Sequence, residues 1–279
     1  MRQVLDNAEA VHSFVDDVLG HTKTWNDHLQ VLEKLFQRLR SAGLTIKPSK
    51  CFLGYENVDF LGHHITKGEL MTQKDKVEKM KNLETPTTKK QLRSFLGLAG
   101  YYRKFIPHYA EKAKPLTDLT KGRSPNKLPW SQDHSQAYQK LKDELCREPV
   151  LKLPDLSKPF VLRTDASDVG LGAVLLQEHN EELFPVMYAS KKLLPRETKY
   201  ATLEKECMAV VWAVNKFQVY LYGKEFIIQT DHKSLEYLNS ARHNNARVMR
   251  WAMSLQPYKF LVEAIKGVEN VGADLLSRL

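Results

Sequence analysis

The chain has 279 residues, 42% of them hydrophobic, with 42 Lys and Arg against 33 Asp and Glu and a formal charge of +9. That length and apolar share exclude a disordered chain and suit two domains with a third fragment attached, while the charge favours a polyanionic partner without requiring one. No apolar run reaches the roughly 18 residues of a membrane span, the first residues lack an apolar signal core, and Cys51, Cys146 and Cys207 are too far apart for a disulfide framework or a closely spaced zinc pair. The expectation is an unsecreted, intracellular protein in a reducing compartment, cytoplasmic or nuclear, with no membrane partner.

Residues 10–20, AVHSFVDDVLG, set β-rich runs on either side of two adjacent acids and predict a hairpin with Asp16 and Asp17 at its turn. From Thr24 the period becomes helical, with Leu29, Leu32, Leu35, Phe36 and Leu39 in one stripe and Gly43 ending it. Residues 43–66 mix short apolar runs with Pro48, Gly54 and Gly62 and predict small strands and turns. Residues 73–149 are helical and basic, with helices expected over 88–100, 109–120 and 134–147 between prolines.

After KLPDLSKPF the pattern changes again. PFVLRTDAS and LGAVLLQ are strands around an Asp-Val-Gly turn and ELFPVMYAS a third, which predicts an antiparallel meander. A helix over roughly 197–221, the strand FIIQTDH, two further helices and the strand YKFLVEAI follow. This α/β (α+β) order suits a mixed sheet with helices packed against it.

Asp165 ends the first of these strands and Asp231 ends the strand after the long helix, so their carboxylates converge if the two strands are neighbours. One such acid is ordinarily a strand-end carboxylate in a polar loop. Two gathered together repel and resist desolvation, and a hard divalent cation such as Mg2+ removes both penalties. On the long helix Glu204 and Glu206 both have apolar neighbours three and four residues away, and periodicity does not separate them. His63 and His64 alternate across a strand without an accompanying acid or Cys, so no metal is expected there. Tyr101 and Tyr102, beside Arg103 and Lys104, are read as packing residues rather than a base-stacking platform.

RTDASDVGLGAVLLQ, ATLEKECMAVVWAV, QTDHKSL and NVGADLLSR, in that order and spacing, resemble the ribonuclease H domain of Ty3/Gypsy-type retroelement polyproteins over residues 150–279. The resemblance implies a ribonuclease H-like mixed sheet flanked by helices, and an endonuclease cutting the RNA strand of an RNA–DNA hybrid. Its catalytic, metal-binding acids fall on Asp165, Glu206, Asp231 and Asp274, the family's Glu-x-x-Ala pattern being what selects Glu206. Two Mg2+ or Mn2+ ions would hold the scissile phosphate, and the hybrid would be read by shape and 2′-hydroxyl, with Arg163, Lys233 and Arg247 at phosphates. Ala264 stands ten residues before Asp274, where the family often carries Tyr and related enzymes a loop His, and the chain ends at Leu279 soon after Asp274; both features predict weakened turnover.

SFVDDVLG, GLTIKPSKC and VDFLGHHIT resemble the end of a reverse transcriptase palm over residues 1–72, and TKKQLRSFLGLAGYYRKFIPHYAEKAKPLTDL resembles the connection region over 73–149. Asp16 and Asp17 would be two carboxylates of the polymerase metal site, and Lys50 a contact to nucleic acid or leaving pyrophosphate. The family's third Asp and its fingers have no counterpart before Asp16, so the pair is expected to be vestigial and polymerisation to need a partner that supplies them. The alternative to a nuclease is a non-catalytic nucleic-acid-binding remnant.

Overall fold

A computed structural model describes residues 2–6, 8–122, 127–147, 150–232, 235 and 245–265, and the chain divides into two compact units, Met1–Lys67 and Gly68–Leu279.

The first unit opens with a short helix α1 (Arg2–Leu5) and an antiparallel hairpin of β1 (Val11–Phe14) and β2 (Asp17–Gly20), with Phe14 opposite Asp17. Asp16 lies in the turn and Asp17 begins β2, both exposed. Helix α2 (Trp25–Ser41) starts where the Thr24 hydroxyl accepts from the Asp27 N–H. It ends in a Schellman motif: Gly43, at φ 67°, donates to the Arg40 carbonyl and Leu44 to that of Leu39. Leu35 and Leu39 reach the core with Leu5 and Val11, whereas Leu29 is 48% exposed. The apolar stripe is therefore buried only over its last turns, where this small unit has material to cover it. Strands β3 (Val58–Phe60) and β4 (His63–Thr66) pair antiparallel. His63 is buried with Nδ1 at the Leu61 carbonyl, and His64 contacts Asp59.

The second unit pairs β5 (Glu69–Thr72) with β6 (Val150–Lys152). Between them run α3 (Lys74–Lys81), α4 (Lys89–Tyr101), α5 (Tyr109–Lys112), α6 (Lys114–Leu119) and α7 (Gln132–Cys146). Thr88 and Gln91 form a reciprocal capping box at the start of α4. Leu92, Phe95, Tyr102, Phe105, Leu116 and Leu141 fill the helical core. Of the adjacent tyrosines, Tyr102 is 1% exposed and Tyr101 51%; the first is packing, the second surface.

The meander is β7 (Phe160–Ala166), β8 (Gly170–His179) and β9 (Glu182–Lys192). It is followed by α8 (Thr202–Lys216), α9 (Gln218–Leu221), β10 (Glu225–Thr230), α10 (Ala246–Leu255) and β11 (Lys259–Ala264). The sheet order is β11-β10-β7-β8-β9, with β10 parallel to both neighbours. Leu162, Leu175, Ala213, Val214, Phe217 and Ile228 pack between sheet and helices. Pro185, which lacks an N–H to donate, lies on edge strand β9. The long helix begins at Thr202 rather than near 197 because the buried Glu197 caps a preceding turn, accepting from the Leu194 N–H at 2.8 Å. The second helix expected after β10 falls largely outside the described residues. No described helix is long and apolar enough to cross a membrane.

Candidate active site

The parallel pairing of β7 with β10 sets Arg163 opposite Gln229; two residues further along each chain this register brings Asp165 level with Asp231. Glu206, in the second turn of α8, meets them from the helix layer. Asp165 and Glu206 are each 6% exposed, and Asp231 lies on the open side. The Ala166 N–H donates to the Glu206 carboxylate and fastens it to the end of β7. Burial, reinforced by the negative charges of Asp165 and then Asp231, pushes Glu206 from 4.5 up to about 8. Its Oε2 is buried and has no hydrogen-bond partner among the described residues.

Glu204, the competing acid, has a different task. Its carboxylate accepts from the Ala201 N–H at 3.1 Å, from Asn245 Nδ2 at 2.9 Å and from Arg247 at 3.0 Å. The Asn245 amide holds it below the usual carboxylate value, with Ala201 and Arg247 adding to the effect against the opposing pull of burial. Glu204 therefore ties α8 to α10, and Glu206 is the acid that turns toward the strand ends.

The turn after Asp165 is held from two sides. Lys205, buried on α8 beside Glu206, donates to Asp168 at 2.6 Å, and the Ser167 hydroxyl donates to Glu111 of α5. Neither Lys205 nor Glu111 was named from sequence. Lys205, between two acids at the start of a helix that is apolar over its middle turns, carries a weak signal; Glu111 is 56 residues from its partner and carries none. Asp165, Gly172 and Ser190 form one row across β7, β8 and β9, and the helical stretch docks on it. Arg103 donates to the Ser190 carbonyl at 2.5 Å and the Ala110 N–H to its hydroxyl at 2.9 Å, which covers part of the free edge of β9. Ser167→Ala is expected to cost about 1–3 kcal/mol by leaving the poorly exposed Glu111 carboxylate short of a donor; urea unfolding measures it.

Two expected phosphate contacts are otherwise engaged. Arg163 Nε donates to Gln229 Oε1 at 2.8 Å and Gln229 Nε2 to Glu263 at 3.2 Å, a polar ladder across β7, β10 and β11. Arg247 lies 4.0 Å from the centre of the Tyr200 ring while paired with Glu204. Lys233 and Asp274 lie outside the described residues; Lys50 is exposed in a 3-10 turn of the first unit. Ala264 pairs with Thr230, directly before Asp231, and so borders the acids.

Among the described residues no three His, Cys, Asp or Glu side chains approach closely enough to form a metal cluster by themselves. The acids nearest one another, buried Asp165, buried Glu206, whose Oε2 has no partner among the described residues, and exposed Asp231, offer hard oxygen donors of the kind Mg2+ or Mn2+ takes, and a metal would have to draw them closer together.

Residues 155–258 match the RNase H-like domain found in reverse transcriptase, and residues 1–65 match reverse transcriptase (RNA-dependent DNA polymerase). The chain is 39% identical over 267 residues to the retrovirus-related Pol polyprotein from transposon 297 of Drosophila melanogaster, covering 95% of this chain and 25% of that protein. It is 37% identical to the Pol polyprotein from transposon gypsy of the same organism, covering 95% and 26%, and 34% identical to the transposon Tf2-3 polyprotein of Schizosaccharomyces pombe, covering 99% and 21%. It thus spans about a quarter of the length of the curated relatives it matches. Among solved structures, foamy viral protease-reverse transcriptase in complex with RNA/DNA hybrid superposes with a TM-score of 0.80 at 26% identity, over 95% of this chain and 37% of that one. The dRH form of the same protein in complex with ds DNA gives 0.82 at 26% identity, over 95% and 47%.

Proposed function

We propose that this chain, similar along nearly its whole length to Gypsy-type retroelement Pol polyproteins, is a divalent-metal-dependent ribonuclease H that cuts the RNA strand of RNA–DNA hybrids. The observation carrying this reading is the buried Glu206 carboxylate, with an oxygen that has no partner among the described residues, set against the charges of Asp165 and Asp231. A fold gains nothing from gathering such charges without a cation to compensate them. Asp165, Glu206 and Asp231 would hold the metal, with Asp274 as the fourth ligand.

Bound there, Mg2+ or Mn2+ supplies Lewis-acid polarisation of the scissile phosphate. The chain's own residues make the site ready for it. The Ala166 N–H keeps Glu206 aimed at the strand ends; Lys205 and Glu111 fix the turn that follows Asp165. Asp231, exposed, leaves an open side from which the phosphate enters. Glu206 must give up its proton to become a ligand, so affinity for the metal rises with pH up to about 8.

The test is Mg2+-dependent cleavage of an end-labelled RNA–DNA hybrid by the wild type and by Asp231→Asn. Loss of cleavage in the variant, with hybrid binding retained, supports the reading. Equal inertness of the two proteins while both bind hybrid favours a non-catalytic nucleic-acid-binding remnant. In the first unit Asp16 and Asp17, exposed at a hairpin tip within the segment similar to reverse transcriptase, are proposed to be a vestigial polymerase metal site; primer extension by this chain would overturn that reading.

A further inference from the structure

A basic feature lies away from the acids. The outer strand β9, the stretch from Arg103 to Thr117 and the C-terminal half of α8 enclose a groove of about 510 Å3. Arg103, Lys104, Lys191, Lys192 and Lys216 line it with Trp212, and among the described residues no carboxylate does. Three of these cations are compensated: Arg103 by the Ser190 carbonyl and the Tyr109 ring, Lys191 by Glu197 at 3.3 Å and Lys192 by Asp118 at 2.7 Å. The other two are not. Lys216 is exposed at the end of α8, and Lys104, half-buried, rests on the Phe105 ring; among the described residues neither forms an ion pair.

We infer that this groove is a second nucleic-acid contact, binding the phosphate backbone of the hybrid about 15 Å along α8 from Glu206, a span set by the rise of ten helical residues. A desolvated ammonium without an anion costs free energy, and burial does lower the Lys104 ammonium from its ordinary value; a phosphate supplies the missing charge. The remaining chemistry agrees. The groove is open and lined by cations on three separate elements, the arrangement that follows a charged strand rather than encloses a small molecule. The chain's charge of +9 favours the same partner. Bound here and at the acids, a duplex is held at two points, which fixes its register over the metal site without reading its sequence.

The experiment measures binding of the 279-residue chain to a fluorescent RNA–DNA hybrid of about 20 base pairs by anisotropy, in Ca2+ rather than Mg2+, over roughly 50 to 200 mM salt. Lys104→Gln/Lys216→Gln is compared with Lys79→Gln/Lys140→Gln, which removes the same charge from exposed positions outside the groove. The groove variant is expected to bind about tenfold more weakly and to lower the slope of log affinity against log salt by about 2, near 0.9 for each lost phosphate contact. The control variant is expected to stay close to wild type. Lys216→Gln alone, at an exposed helix end, should lower the slope by about 1 and serves if the double variant folds poorly. Equal affinity and slope in groove and control variants would overturn the inference. Turnover plays no part in the measurement, so a chain that binds through the groove but cuts nothing sinks the nuclease reading alone, and one that cuts with an unchanged salt slope sinks this one alone.

Discussion

Glu206→Gln is expected to stabilise the metal-free protein at pH 8 while removing Mg2+-dependent cleavage. In the folded chain Glu206 titrates at about 8 against 4.5 for an ordinary glutamate, because it is buried and faces Asp165 and Asp231. Below about pH 4.5 folded and unfolded chains both carry the proton, and the site costs nothing. Between 4.5 and 8 only the folded chain keeps it, so the unfolded state binds fewer protons and stability falls as pH rises through that window, levelling off above about 8. The loss is on the order of a few kcal/mol. Gln carries the same shape without the charge, so the variant should match the wild type near pH 4.5 and exceed it increasingly toward pH 8, as read by urea unfolding in EDTA. Mg2+ should return the lost stability to the wild type, since a ligand of the folded state stabilises it by mass action, and should do less for the variant. Cleavage should fall by about 10³-fold, the several kcal/mol a misplaced metal forfeits. Parallel pH profiles for the two proteins in EDTA would show that Glu206 bears no such strain.

Much of the second unit was legible because its signals are local. Short apolar runs on either side of Asp-Val-Gly mark β7 and β8, which are buried along most of their length, and a third such run marks β9. The convergence of Asp165 and Asp231 needed one condition, that their strands be neighbours, and the parallel pairing of β7 with β10 meets it. Glu204 and Glu206 could not be separated by period, since the choice depends on which acid finds Asn245 and Arg247 and which finds the end of β7. Those partners lie far away in sequence. The start of α8 was misplaced by five residues for a related reason: Glu197 has good helix propensity, but its carboxylate caps the Leu194 turn instead. Arg163 shows the same limit. Alternation marks it as reachable from one face of the sheet, and only the strand register reveals that Gln229 already occupies its guanidinium.

The helical stretch before the sheet also bears on the acids, and Gly172 is where this can be measured. Gly172 is the direct partner of Asp165 across β7 and β8, and a Cβ added there would meet His108 Cε1 at 2.5 Å and both ring nitrogens at 3.1 Å. The ring has little room to retreat: His108 is 6% exposed, its Nδ1 is 3.6 Å from Glu111 Oε2, and its backbone holds φ 45°. Gly172→Ala should therefore destabilise the chain by about 1–3 kcal/mol through overpacking. His108→Gly removes the ring and suits the positive φ, so in the double variant the clash disappears. The two changes should cost less together than their sum, by at least about 0.5 kcal/mol. Cleavage supplies the stronger readout. A displacement near 1 Å in a positioned group lowers a rate by about 10²-fold, and β8 carries its displacement to Asp165 through the ladder. Gly172→Ala should thus depress cleavage beyond what its stability loss explains, with recovery in the double variant. Additive stabilities and no recovery would mean that His108 packs on the strand without setting the position of Asp165.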